Sequence, residues 1–148
     1  MTDSKSRLIE AARAVAVNAH APYTGFGVGA AVLLENGDIV TGCNFENASY
    51  GLTLCAETAA LATVNALGKL RQVRAIGIVG GPIKDGAITG TDTVRPCGRC
   101  RQVISEAAQL AGNDLPVLCG SATGADIEEH RISDLLPYAF GPRDLGLQ

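Results

Sequence analysis

Long apolar runs are missing from this 148-residue chain, and so is any dense cluster of Lys and Arg. No apolar stretch approaches the roughly 18 residues that a bilayer-spanning helix needs, so a soluble protein is expected. The formal net charge is -3, and without a basic patch a nucleic-acid polymer is not an expected partner. Met1 to Arg7 is polar and runs into an amphipathic segment with Glu10 and Arg13. It lacks the basic-then-apolar order of a secretory signal. Cysteine number is odd, at five, and two of the five form Cys97-x-x-Cys100. In a chain with no export signal that favours metal or redox chemistry over a disulfide framework, and a cytoplasmic location. Tryptophan is absent and only 4% of residues are aromatic, which makes each Phe and Tyr worth locating. The length suits a single domain, residues 1–148, around one core.

What is present is periodic. Leu8, Ile9, Ala12, Val15, Ala16 and Ala19 recur at helical spacing and predict a first helix over 5–19, with Ser4 as its cap. His20 to Gly25 breaks it. The runs Val28 to Leu34 and Ile39 to Asn44 flank Asn36-Gly37 and predict a β-hairpin. A polar loop from Asn44 to Gly51 leads to a second helix starting at Thr53 or Leu54 and stopping at Gly68. Val73 to Val79 reads as a strand, and the Gly- and Thr-rich segment from Gly80 to Arg95 as a loop. A third helix spans Cys97 to Ala111, followed by a short strand at 115–119, an edge strand at 127–132 and a helical turn ending at Pro137. The tail from Tyr138 reads as irregular. Alternation of this kind implies an α/β sandwich around a mixed sheet.

Two of these helices begin on cysteines. Cys97 and Cys100, three residues apart in a first turn, lie on one side and can bind one ion, and Cys55 at the start of the second helix can join them. Three thiolates leave a fourth zinc position for water, which suits catalysis better than a structural site. Glu57, two residues after Cys55, cannot easily reach the same metal but can reach its water as general base and then general acid. A ligand two residues before Glu, with Pro-Cys-x-x-Cys downstream, matches the signature of zinc nucleobase deaminases.

The chain resembles the cytidine deaminase family, specifically its small homotetrameric class. The likeness is carried by Pro22-Tyr23 through Phe26 to Ala31, Gly42 to Thr53, Cys55-Ala56-Glu57, Pro96 to Gln102, and Leu135-Leu136-Pro137 with Phe140-Gly141-Pro142. The resemblance implies a three-layer α/β/α sandwich around a mixed five-stranded sheet, and hydrolysis of free cytidine and deoxycytidine to uridine and deoxyuridine with release of ammonia. It implies that Cys55, Cys97 and Cys100 bind zinc and that Glu57 shuttles protons. Asn44 and Glu46 would hydrogen-bond the ribose 3′-hydroxyl region, Phe26 would pack on the pyrimidine, and the backbone around Ala56 would contact the base. Ala48, Tyr50 and Phe140 would come from a neighbouring subunit of a homotetramer with shared sites.

Other readings of these residues stand beside those. Asn44 could cap the strand exit, Glu46 could be a solvated loop charge, and Phe26, Phe140 and Tyr50 could fill a core or anchor a loop. Cys43 and Cys119 read as buried structural thiols, and His20 and His130 are isolated. A deaminase of modified cytosine nucleosides such as blasticidin S, or a structural zinc module, are the competing functions. The small class often has Arg after Cys-Ala-Glu, where this chain has Thr58. Arg99 or Arg101, with the two helix N-terminal dipoles, is expected to offset the thiolate charge instead.

Overall fold

The computed structural model describes residues 2–147. Helix α1 (Thr2–Ala16) leads to the hairpin of β1 (Phe26–Leu34) and β2 (Ile39–Cys43), then α2 (Ala56–Ala66), β3 (Val73–Lys84) and β4 (Ala87–Ile88). Helix α3 (Gly98–Ala111), β5 (Pro116–Cys119), β6 (Glu128–Arg131) and the short α4 (Ile132–Leu135) complete the order. The strands line up as β2-β1-β3-β5-β6, with β4 attached to the end of β3. Among the described strands β3 and β5 pair in parallel and the other ladders are antiparallel. The main sheet is therefore five-stranded and mixed, with β4 as an added ribbon.

Side-chain alternation along the strands feeds two cores. On one face Leu8, Ile9, Ala12 and Ala16 of α1 pack on Ala31, Ala75, Val79 and Leu118. On the other, Ala56, Ala60, Leu61 and Val64 of α2 and Ile104, Ala107 and Ala108 of α3 cover Ala30, Val32, Ile76, Ile78 and Val117. Three layers result, and each fully buried Leu or Ile contributes about 1.5–3 kcal/mol. Among the described residues no helix is long and apolar enough to cross a membrane.

Three of the boundaries that differ from the sequence expectation do so for a tertiary reason. Helix α1 includes Ser4 and stops at Ala16, because the N–H of His20 is drawn to the carbonyl of Asn44 and the chain bridges to Phe45. Helix α2 starts at Ala56, since Leu54 pairs with Phe45 in an extended bridge and leaves Cys55 as the N-cap. Gly80 and Gly81, expected to end the strand, lie inside β3, and the chain then turns at Asp85-Gly86 into β4. A side chain at Gly81 would put its Cβ 1.9 Å from the carbonyl oxygen of Thr89. That glycine marks a close backbone approach rather than a chain break.

The same logic seats α2. A Cβ on Gly42 in β2 would stand 2.5 Å from the backbone nitrogen of Ala60 and 2.9 Å from the carbonyl oxygen of Ala56. The helix thus lies directly on the strand, and its first residue is placed by that contact. Gly42→Ala should destabilise the fold by about 1–3 kcal/mol, read as a lower urea midpoint with unchanged denaturant slope.

Candidate metal centre and active site

Helices α2 and α3 pack side by side on one sheet face and begin next to one another. Cys55 is the N-cap of α2 and Cys97 the N-cap of α3, while Cys100 lies in the first turn of α3. Their Sγ atoms all lie within 4.8 Å of one another, and Cys55 and Cys97 are 3.9 Å apart. No disulfide links them. Tetrahedral Zn–S bonds of 2.3 Å place sulfurs about 3.8 Å apart, so the cluster has the dimensions of a three-thiolate zinc site. Among the described residues no fourth side chain joins this group.

Electrostatics favour the same conclusion. Burial foremost pushes the Cys55 thiol up, with Cys97 and Glu57 adding repulsion. Cys100 is pushed far above the ordinary thiol range, by burial first and then by Glu57. Burial also opposes ionisation of Cys97, but hydrogen bonds from the backbone and side chain of Cys100 and from Cys55 outweigh it and lower its pKa. Three thiolates at this spacing require a cation, and both helix N-termini present positive dipole ends to the sulfurs.

Glu57 is the second residue of α2 and only 4% exposed. Burial raises its carboxyl above the ordinary value, opposed by its own backbone N–H and by Cys100. A carboxyl so placed can hold and release a proton beside the sulfurs. Ala56, fully buried, starts the helix next to it.

The two arginines expected near the sulfurs, Arg99 and Arg101, are anchored to backbone carbonyls around the cluster. Arg101 donates from Nε to the carbonyl of Pro96 at 2.8 Å and from Nη1 to that of Leu135 at 3.1 Å, and Arg99 reaches the carbonyl of Thr53. These guanidinium bonds go to backbone oxygens, of which that of Pro96 lies in the turn before Cys97. The hydroxyl of Thr58 is the group that meets a ligand sulfur, 3.6 Å from Cys100 Sγ.

The other expected residues fall into two sets. Asn44 and Glu46 are buried; Asn44 holds the start of β1 and Glu46 the loop before it. Asn44 Oδ1 accepts the N–H of Val28 and its Nδ2 donates to the carbonyl of Phe26, each at 2.9 Å. Glu46 accepts from the backbone N–H groups of Tyr23 and Thr24 and from the Thr24 hydroxyl. Phe26, on the first position of β1, lines a cavity of about 360 Å³ with Gly81, Pro82, Thr89 and Val94. Ala48, Tyr50 and Phe140 are exposed, with Tyr50 tilted against Tyr23 at 5.6 Å between ring centres. Phe140 is held by its backbone, whose carbonyl accepts from Gln102 Nε2 at 2.7 Å.

The remaining candidates stand apart. His20 packs edge-on to Phe45, and His130 bonds to Glu128 at 2.8 Å. Cys119 is fully buried and pushed up to about 11, chiefly by burial, and Cys43 is half-buried. A larger cavity, about 500 Å³, lies at the end of α3 beside Gln109, Ser133, Tyr138 and Arg143 and contains none of the cysteines. Thr24 is the residue that sequence reasoning missed. The spacing of Thr24, two before Phe26, is a signal for a side-chain turn.

The chain is similar to known proteins over most of its length. The family model described as the cytidine and deoxycytidylate deaminase zinc-binding region matches residues 2–111. A cytidine deaminase of Halalkalibacterium halodurans is 42% identical over 144 residues, covering 95% of this chain and 97% of its own. One from Mycobacterium tuberculosis is 42% identical over 130 residues, covering 88% and 84%. The crystal structure of a cytidine deaminase from Burkholderia pseudomallei superposes with a TM-score of 0.77 at 40% identity, covering 91% of this chain and 98% of that one. A zinc-sized cluster of three sulfurs, a buried Glu beside it, and matches of this length lead to one assignment: the chain belongs to the cytidine and deoxycytidylate deaminase family of zinc enzymes.

Proposed function

We propose that this protein hydrolyses free cytidine and deoxycytidine to uridine and deoxyuridine, releasing ammonia, as one catalytic domain over residues 1–148 in the cytoplasm. The observation that carries the reading is the buried Glu57 carboxyl beside three convergent sulfurs at two helix N-termini. Zinc held by Cys55, Cys97 and Cys100 supplies Lewis acidity that makes a water nucleophilic near neutral pH. The protein's own residues do the rest. Glu57 accepts one proton of the water and delivers it to the ring nitrogen as the C4–O bond forms, then takes the second from the added hydroxyl and delivers it to the amine as the C4–N bond breaks, so one water is consumed and one ammonia leaves. Its burial keeps the carboxyl within range of holding that proton.

Sugar hydroxyls meet Asn44 and Glu46, the base stacks on Phe26, and the backbone at Ala56 reads the edge of the ring. Each of the two polar side chains keeps hydrogen-bonding capacity beyond its contacts with β1 or the loop before it. Ala48, Tyr50 and Phe140 act across a subunit boundary in a homotetramer with shared sites. Supporting this, Tyr50 is 73% and Phe140 60% exposed in the single chain, and rings of that size are stabilised by covering them.

With zinc bound, the ultraviolet absorbance of cytidine should fall as uridine forms. Glu57→Gln should slow that loss by about 10²-fold or more while metal analysis finds zinc retained. No ammonia from cytidine or deoxycytidine defeats the deaminase reading, and full rate in Glu57→Gln defeats the proton-carrier role. Cys100→Ala, or a chelator, should remove zinc and activity together, as metal analysis and the same assay will report. Light scattering after size exclusion should give four times the chain mass of 15.2 kDa; a monomer mass would remove the shared-site part.

A further inference from the structure

The carboxylate of Glu46 turns back from the end of β2 onto the loop before β1. Its Oε1 accepts the backbone N–H of Tyr23 at 3.0 Å and of Thr24 at 3.2 Å, and its Oε2 accepts the Thr24 hydroxyl at 2.5 Å. The same hydroxyl oxygen accepts the N–H of Phe26 at 3.1 Å. Each carboxylate oxygen offers about two acceptor directions. Oε1 is therefore filled and Oε2 keeps one. Glu46 is 5% exposed, and the Thr24 hydroxyl foremost, with the two N–H groups, holds its carboxyl below the ordinary value. It is ionised near neutral pH and can only accept.

We infer that Thr24 is a positioning residue for the sugar end of the substrate. Its hydroxyl fixes which acceptor direction of Glu46 stays open and, through the N–H of Phe26, ties that direction to the residue proposed to carry the base. The inference rests on the sugar-binding role proposed above for Glu46. The group recognised there is a neutral hydroxyl donor; a phosphate ester at the same point faces an ionised carboxylate and is repelled. One side chain thus sets the distance between the two ends of a nucleoside. Replacing Thr24 by the isosteric Val removes the hydroxyl alone, frees the carboxylate to turn about its last torsion, and takes away the acceptor of the Phe26 N–H.

Thr24→Val and Thr24→Ser are compared with wild type on cytidine and on 3′-deoxycytidine, with zinc content and the Glu46 carboxyl titration followed by carbon-13 NMR. Thr24→Val should raise KM for cytidine about 3–10-fold, the effect of one hydrogen bond. Its kcat should stay within about twofold and its zinc content should be retained. KM for 3′-deoxycytidine should change less, and Glu46 should titrate higher. Thr24→Ser should restore each value. Unchanged KM and unchanged Glu46 titration in Thr24→Val overturn the inference. So does a Ser variant as impaired as the Val variant, which would make the methyl the active part, or an equal KM shift for both nucleosides. Thr24→Ala replaces Val in the comparison if the Val variant does not fold. Should wild type turn over neither nucleoside, the proposed function fails, and the Glu46 titration alone decides for or against Thr24.

Discussion

Three sulfur atoms and a carboxyl group, all acidic, are brought together at the adjoining ends of two helices. Left to mutual repulsion and burial, such a set favours its protonated forms. A divalent cation reverses that preference, and the aligned peptide dipoles of α2 and α3 assist it. The requirement that these two helix starts coincide explains much of the architecture. Gly42 lets α2 lie on β2, Arg101 ties the turn before Cys97 to the C-terminal segment, and the bridge of Leu54 to Phe45 holds Cys55 out of the helix as its cap.

Thr58 illustrates how a neutral group can work where a cation is absent from the position. A hydroxyl at 3.6 Å from Cys100 Sγ lends one weak hydrogen bond to the sulfur and leaves the net charge of the centre unchanged. The guanidinium of Arg101 joins the carbonyl of Pro96, just before Cys97, to that of Leu135 at the end of α4. Backbone dipoles at the two helix starts add to whatever these side chains contribute.

Much of this was legible in the sequence. The hairpin around Asn36-Gly37, the cysteine pair opening α3 and the Glu two residues after Cys55 follow from local chemistry, because turn type and ligand spacing depend on neighbouring residues only. The end of α1 at Ala16 was not legible, since a bridge to residues 44 and 45 decides it. Gly80-Gly81 reads locally as a breaker; only the approach of Thr89 shows why a strand needs glycine there. Asn44 and Glu46 stood out as substrate contacts, yet their hold on the start of β1 and the loop before it depends on partners about 16 to 23 positions away. The Thr24 hydroxyl gains its role only through those partners.

The parallel pairing of β3 with β5 bears on the order in which the chain folds. That crossover contains α3, and the contact between Cys55 and Cys97 spans 42 positions. The β1–β2 hairpin closes over a short turn and forms without it, whereas the sulfur cluster requires the long loop to have closed and α3 to have docked. Metal capture is thus a late event that registers whether the crossover has been completed. A chain that stalls after its first hairpin has not yet brought the three sulfurs together and cannot make a site.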